Sequence, residues 1–337
     1  MRARLTALAT AALVLLWPAG AGASPGWPHN PKVPAGIGSG PVIALRPHRA
    51  DLINNRTLVR VVPLPAGAVS LDTVVRAIGD ERWASLSGGT ATLRAGLLQR
   101  PHTELRIGPS VKTLRLADGV AYLAGSSATV TFANVTVVSS NGSGPAPESE
   151  HRPYLRYTHG STVTATGTTF QALGSRSAAH HGVTIGADGT FIAIDTVFRD
   201  SGRGLDAYRA ARVGLKNVTA TGNGGAGIAV NQARVTALTD VTMSGNATGL
   251  VLRGPLPVLT LNGTVTSSHN TGTGVDVSNL DSAPLGPLRT DHNDTGILLR
   301  ECPACVIAGF ASTEDGRGVT VERQSTGATV RDGTVNQ

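Results

Sequence analysis

The sequence predicts an all-β chain wound as a right-handed parallel β-helix, with a short capping helix near its N-terminal end. Three observations lead there. Glycine recurs at 182, 204, 227, 249, 274, 296 and 318, in steps of 22, 23, 22, 25, 22 and 22 residues. Each of these glycines opens an apolar-x-apolar triplet: Val183-Thr184-Ile185, Leu205-Asp206-Ala207, Ile228-Ala229-Val230, Leu250-Val251-Leu252, Val275-Asp276-Val277, Ile297-Leu298-Leu299 and Val319-Thr320-Val321. The composition, with 42 Gly, 4% aromatic and 15% charged residues, is poor material for a helical bundle and suits short β-branched strands. A fixed period of this size means stacked coils, because one coil cannot bury its inner face alone. A leucine-rich repeat needs a Leu-x-x-Leu-x-Leu framework that is absent here, and a propeller blade needs about twice the period.

Taken in order, the chain opens with a targeting signal over residues 1–23. Arg2 and Arg4 precede an apolar run from Leu5 to Trp17, and Ala21-Gly22-Ala23 is a cleavage pattern that puts the mature start near Ser24. No later run is apolar for long enough to span a bilayer. The expectation is an exported chain, secreted or cell-surface, with no membrane association after cleavage. Residues 24–60 are rich in Pro and Gly and read as a linker or wrapping arm, with a strand at 58–63. A single β-helix domain is expected over 61–337.

One convincing helix lies near 70–79. Ser70 is the N-cap, Asp72 complements the first turn, and Gly79 ends it. Leu71, Val74, Val75 and Ile78 form one apolar stripe. A short amphipathic helix before a strand stack reads as a cap over the first coil. Strands follow from about residue 92. Residues 139–153 are too polar and Pro-rich for a strand and read as a loop beside a groove. In the second half a turn precedes each glycine, among them Gly-Asn-Gly-Gly-Ala, Gly-Asn-Ala-Thr and His-Asn-Asp-Thr. Asn and Asp suit such turns because they tolerate left-handed backbone angles and bond their own loop. The same reading puts Asp291-His292-Asn293-Asp294 among the turns.

Cys302 and Cys305 are the only cysteines. They lie in a turn in a chain expected to be exported, so a local disulfide is the preferred reading over two free packing thiols. A lone Cys-x-x-Cys is weak grounds for zinc. Calcium repeats are absent, and neither metal nor cofactor is expected. The net charge of +7 is carried mostly by Arg. No basic run interleaved with aromatics points to nucleic acid. An exported basic chain can meet an acidic polymer. Oligomeric state is not legible in the sequence.

Arg152-Pro-Tyr-Leu-Arg156, the segment Gly160 to Gly174, Leu105-Arg-Ile-Gly-Pro109 with Val111 to Leu116, and Phe198-Arg-Asp-Ser-Gly-Arg-Gly-Leu-Asp-Ala-Tyr208 resemble the exported bacterial mannuronan (alginate) C-5 epimerases. The resemblance runs over roughly residues 70 to 330 and implies a β-helix with a saccharide groove. That family carries Asp-Pro-His-Asp after a Gly-Ile pair, its His acting as base. Here the corresponding coil reads Gly227-Ile228-Ala229-Val230-Asn231-Gln232. Asn231 stands where the His is expected and cannot accept a proton near neutral pH. The resemblance therefore implies the scaffold and a polysaccharide partner without carrying over the activity.

Alternate strand residues point outward. With glycine as register mark, one outward column is Thr184, Asp206, Ala229, Val251, Asp276, Leu298 and Thr320. The next is Gly186, Tyr208, Asn231, Arg253, Ser278, Arg300 and Glu322. Proton abstraction from a uronate needs a cation on the carboxylate, a base and an acid. The candidates are Arg253 for the cation, Tyr208 as acid or base (a position the resemblance also marks) and His181 or its neighbour His180 as base. Asp206, Asn231, Asp276 and Arg300 are candidate ligand contacts. The leading expectation is a β-helix that binds a polysaccharide, acidic or neutral, with weak, altered or no epimerase activity. The alternatives are an active uronate epimerase or lyase with a substituted site, and a non-catalytic structural or adhesive rod.

Overall fold

The computed structural model describes residues 40–142, 144–149, 151–176, 180–322 and 324–336. The expected signal segment and residues 24–39 of the expected arm lie outside the described residues. The chain is a right-handed parallel β-helix of about ten turns. Among the described residues it forms a 13-stranded sheet, a 16-stranded sheet and a 3-stranded sheet. The first sheet, which carries the candidate groove, stacks parallel strands from Gly96–Gln99 through Arg203–Tyr208, Ala226–Asn231, Thr248–Arg253, Thr273–Ser278 and Thr295–Arg300 to Arg317–Glu322. Leu205, Ile228, Leu250, Val275, Ile297 and Val319 stand in register, so the expected rungs at 204, 227 and 249 are adjacent.

The second sheet is bent along its length. Thr190–Arg199, Arg212–Thr221, Val235–Ser244 and Val258–Ser268 each turn a corner at a residue of positive φ: Asp195, Asn217, Asp240 and Gly263. These corner residues lie one rung apart, and Asn217 Nδ2 donates to Asp195 Oδ1 at 2.5 Å. A short polar side chain that tolerates the left-handed region is what such a corner needs.

The turn asparagines do something other than expected. Asn223, Asn246, Asn270 and Asn293 are buried, and the left-handed residue is the one before each: Gly222, Gly245, His269 and His292. Asn223 Oδ1 accepts from Ser201 N at 3.1 Å, and from Asn246 onward each Oδ1 accepts from the backbone N–H and the Nδ2 of the preceding rung's asparagine. Asn223 to Asn246 spans 3.0 and 2.8 Å, Asn246 to Asn270 3.0 and 3.1 Å, and Asn270 to Asn293 3.1 and 2.8 Å. Asp315 closes the run by accepting from Asn293 N and Nδ2, both at 2.8 Å. The physical reason is the accounting of buried polar groups: inside a coil an amide finds its partners only in the rungs above and below.

Close approach between rungs explains the glycine period. A Cβ on Gly249 would stand 1.9 Å from Ser267 Oγ and 2.5 Å from the Gly274 carbonyl. On Gly227 it would stand 2.9 Å from Asn246 Nδ2. The glycines make room for the next rung's backbone carbonyl and for the buried polar side chains beside it.

The apolar core runs the length of the coil. Phe132, Phe170 and Phe198 stack inside it, with ring centroids 5.2 and 5.4 Å apart. From Phe198 the same inward position continues as Ala220, Met243, Ser267, Thr290 and Ser312. The later hydroxyls are bonded: Ser267 Oγ donates to the Gly274 carbonyl at 2.7 Å, and Thr290 and Ser312 donate to Asp315 Oδ2 at 2.6 Å.

At the N-terminal end the arm expected through residue 60 gives way to β1 (Val42–Arg46), β2 (Arg49–Asn54) and β3 (Thr57–Pro63). They are antiparallel to one another, and β1 joins the first sheet by pairing in parallel with Gly96–Gln99. Positive φ at His48 and at Asn55-Arg56 makes the two tight turns, and Ile43, Leu45 and Leu52 are buried. Helix α1 (Leu71–Ile78) follows as expected. Ser70 Oγ accepts from Thr73 N, Gly79 is left-handed, and Leu71, Val74, Val75 and Ile78 are buried. The Arg60 guanidinium reaches the Ile78 carbonyl and ties β3 to the helix. At the other end Val321, Val330 and Val335 are exposed.

Cys302 and Cys305 are joined in a disulfide and fully buried, with Cα atoms 5.5 Å apart. The loop after Ser140 packs back onto the coil through buried Arg152. That side chain donates to the Ala146 carbonyl through Nε (3.1 Å) and Nη2, and to the Asp200 carbonyl through Nη1 (2.9 Å).

Candidate functional site

The outer wall of the first sheet collects the candidate residues because strand alternation fixes them there. Asp206, Ala229, Val251, Asp276 and Leu298 are paired rung to rung, as are Tyr208, Asn231, Arg253, Ser278 and Arg300. Both expected columns are therefore real walls. A third outward column, not singled out in the sequence, precedes the glycines: Arg203, Ala226, Thr248, Thr273 and Thr295. The signal was present, since each of these residues stands immediately before a glycine of the register.

The centre of this wall is low and apolar. Ala226, Ala229 and Val251 form a small buried cluster of their own although they point away from the coil. Polar groups bracket it. At one end Arg203 Nη1 lies 3.3 Å from Asp206 Oδ2. At the other, Asp276 is held between two arginines from the rungs on either side. Arg300 Nη2 donates to its carboxylate at 2.6 and 2.7 Å, and Arg253 Nη2 lies at 3.4 Å. The Asp276 side chain is 9% exposed and Arg253 51%, so the carboxylate is sealed while the Arg253 head remains open to solvent. Glu322 follows Arg300 in the same column one rung on, so the open cation at this end is Arg253.

Tyr208 is exposed, and the Arg209 guanidinium lies 5.1 Å from its ring centroid. Arg209 Nε donates to Gln232 Oε1 at 3.0 Å, which fixes that cation over the phenol. Tyr208 and Arg253 share a column two rungs apart, roughly 10 Å by strand spacing. Asp206 and Asp276 are three rungs apart, about 14 Å, which is beyond the roughly 6.5–9.5 Å of an inverting carboxylate pair.

The histidines do not join Tyr208. The His181 carbonyl accepts from Arg203 N, which places His181 where the rung begins, five residues before the level of Tyr208. Five extended residues are roughly 16 Å. Its Nδ1 lies 3.1 Å from the Ser175 carbonyl. His180 stacks at 4.0 Å on Tyr154, which stacks at 5.7 Å on Tyr122. Burial pushes His180 down to about 4, helped by the nearby Arg156 and His181 charges, and pushes Tyr122 up to about 12. Burial likewise raises Tyr154. The stack was missed because its members come from rungs of irregular spacing outside the glycine register.

An outer wall on a stack of coils is an extended surface of the kind repeat proteins use for binding. Among solved structures the chain is similar to the periplasmic alginate epimerase AlgG. One single-residue mutant of AlgG aligns at 19% identity with a TM-score of 0.62, over 77% of this chain and 66% of that one. A second single-residue mutant of the same protein aligns at 20% identity and TM-score 0.59, over the same shares. In these alignments the chain therefore spans just under two thirds of the relative's length, and the likeness is one of fold. No protein-family model matches the chain, and no curated protein matches it significantly.

Proposed function

We propose that the protein is exported and that its first-sheet wall binds an acidic polysaccharide lengthwise, without exchanging the C-5 proton of the bound sugar. The observation that carries this reading is the Arg253–Asp276–Arg300 cluster beside an apolar floor. The floor of Ala226, Ala229 and Val251 suits the C–H face of a pyranose ring. The open Arg253 head suits a uronate carboxylate. Rungs about 4.8 Å apart offer an equivalent contact at each step of an extended chain. Tyr208 supplies a ring for stacking. AlgG, whose fold this chain shares, is an alginate epimerase, which supports a polyuronate as ligand.

Asn231 and Gln232 argue for binding over turnover. Neither amide takes a proton near neutral pH, and His181 lies at the far end of the rung from Tyr208. A second reading, proton abstraction by Tyr208, draws on its exposed phenol and on the Arg209 cation held over its ring.

The test has two arms. Titration calorimetry against polymannuronate, polyguluronate and polygalacturonate is expected to give saturable heat that Arg253→Ala weakens at least tenfold. Absence of heat with all three, or heat indifferent to Arg253→Ala and Tyr208→Ala, would sink the binding reading. Incubation of polymannuronate in deuterated water is expected to leave C-5 unlabelled. Label that appears with the wild type and vanishes in Tyr208→Phe would replace binding with catalysis.

A further inference from the structure

A second constellation lies outside the groove, on the turn that leads into the first sheet. His269 and His292 occupy the same turn position in successive rungs, and His269 N donates to the Asp291 carbonyl at 2.8 Å. Their rings stack at 4.7 Å with planes 6° apart. Asp291 Oδ1 lies 2.9 Å from His292 Nδ1. Ligand atoms of His269, Asp291 and His292 all fall within 4.8 Å of one another. On the far side of the ring, His292 Nε2 lies 2.7 Å from Glu314 Oε2, contributed by the next rung.

We propose that His269, Asp291 and His292 bind a divalent transition-metal ion, with Glu314 as the positioning residue for His292. The chemistry of the donors selects the metal. Two imidazoles and a carboxylate suit Zn²⁺ and its neighbours Co²⁺, Ni²⁺ and Cu²⁺, whereas Ca²⁺ and Mg²⁺ prefer oxygen alone. His292 has a carboxylate at each ring nitrogen, Asp291 at Nδ1 and Glu314 at Nε2; a metal at Nδ1 would replace the proton there while Glu314 accepts a hydrogen bond from Nε2–H. A carboxylate behind a ligating histidine is the usual means of fixing its tautomer. Both histidines are exposed, which leaves room for water to complete four-coordination. Bonds of about 2.0–2.1 Å would require the donors to close in slightly, which exposed side chains can do. The ion would join two rungs from outside the coil.

The test uses the full chain without an affinity tag, with Zn²⁺ and Co²⁺ as probes. Calorimetry is expected to show one Zn²⁺ per chain, and Co²⁺ is expected to give the visible absorption of a four-coordinate nitrogen–oxygen site. His269→Ala and His292→Ala should each weaken Zn²⁺ binding at least tenfold. Glu314→Gln, which removes no ligand, should weaken it about tenfold or more. His102→Ala, an exposed histidine on another turn, should leave it unchanged. No saturable heat in the wild type, or binding equal in the wild type and both alanine variants, overturns the proposal. Should an alanine variant fail to fold by circular dichroism, Glu314→Gln decides: unchanged Zn²⁺ affinity and an unchanged Co²⁺ spectrum count against the site.

Discussion

Asn246 accepts from Asn223 through two hydrogen bonds and donates to Asn270 and to the Ala220 carbonyl, all inside the coil. Replacement by Ala strands the buried Asn223 backbone N–H and takes one partner each from Asn223 Nδ2, Asn270 Oδ1 and the Ala220 carbonyl. Each stranded buried group costs about 1–3 kcal/mol. Asn246→Ala is therefore expected to destabilise the protein by about 3 kcal/mol, read as a lower urea midpoint at an unchanged slope. An equal loss on replacing exposed Asn217, a corner residue, would show that the buried ladder is nothing special. The asparagines were visible in the sequence but their job was not, because the same residue type serves a left-handed turn and a buried amide stack. Periodicity in glycine was legible for a reason the sequence does not state: the close approach of the next rung's carbonyl recurs once per coil.

At the scale of elements, the strand alternation that fixes the outer wall was readable from the apolar-x-apolar triplets. The shape of that wall was not. Ala229 and Val251 point outward yet are buried, a property of their neighbours and not of their own identity. Nor could the pairing of Asp276 with Arg300 be told from that of a solvated surface charge. The strands β1 and β2 were hidden by the Pro- and Gly-rich composition ahead of them, whereas β3 was read at 58–63.

The Tyr122–Tyr154–His180 stack makes a pH prediction. His180 titrates near 4 when folded, below its ordinary value of 6.5. Between those values the unfolded chain binds a proton that the folded chain does not. Stability from this group is thus complete above about pH 6.5 and lost as pH falls toward 4. His180→Phe keeps an aromatic ring in the stack and removes the proton site. Urea unfolding of this variant between about pH 4 and 6.5 is expected to depend less on pH than that of the wild type. Identical slopes in the two proteins would mean that His180 is already solvated.

On the scale of the whole molecule, the two ends differ. Hairpins and α1 cover the first coil with Leu71, Val74, Val75 and Ile78, while the last described rungs leave Val321, Val330 and Val335 in solvent. A stack whose rungs touch only their neighbours opens from its weaker end. Amides of Arg317–Glu322 are expected to exchange with deuterium faster than those of Thr248–Arg253, with Thr295–Arg300 between. Uniform protection along the first sheet would mean the coils unfold together.

Because Asn246 and Asn270 each meet an asparagine above and below, this stretch of the spine cannot tell one storey from the next. A chain that stacked one storey out of place would lose amide contacts only at the boundary, yet Tyr208, Arg253 and Asp276 would face strangers. Correct ordering has to be dictated by what occurs once: the antiparallel strands, the helix and the run of phenylalanines near the start. Those parts keep count for a ladder that is blind to its own position.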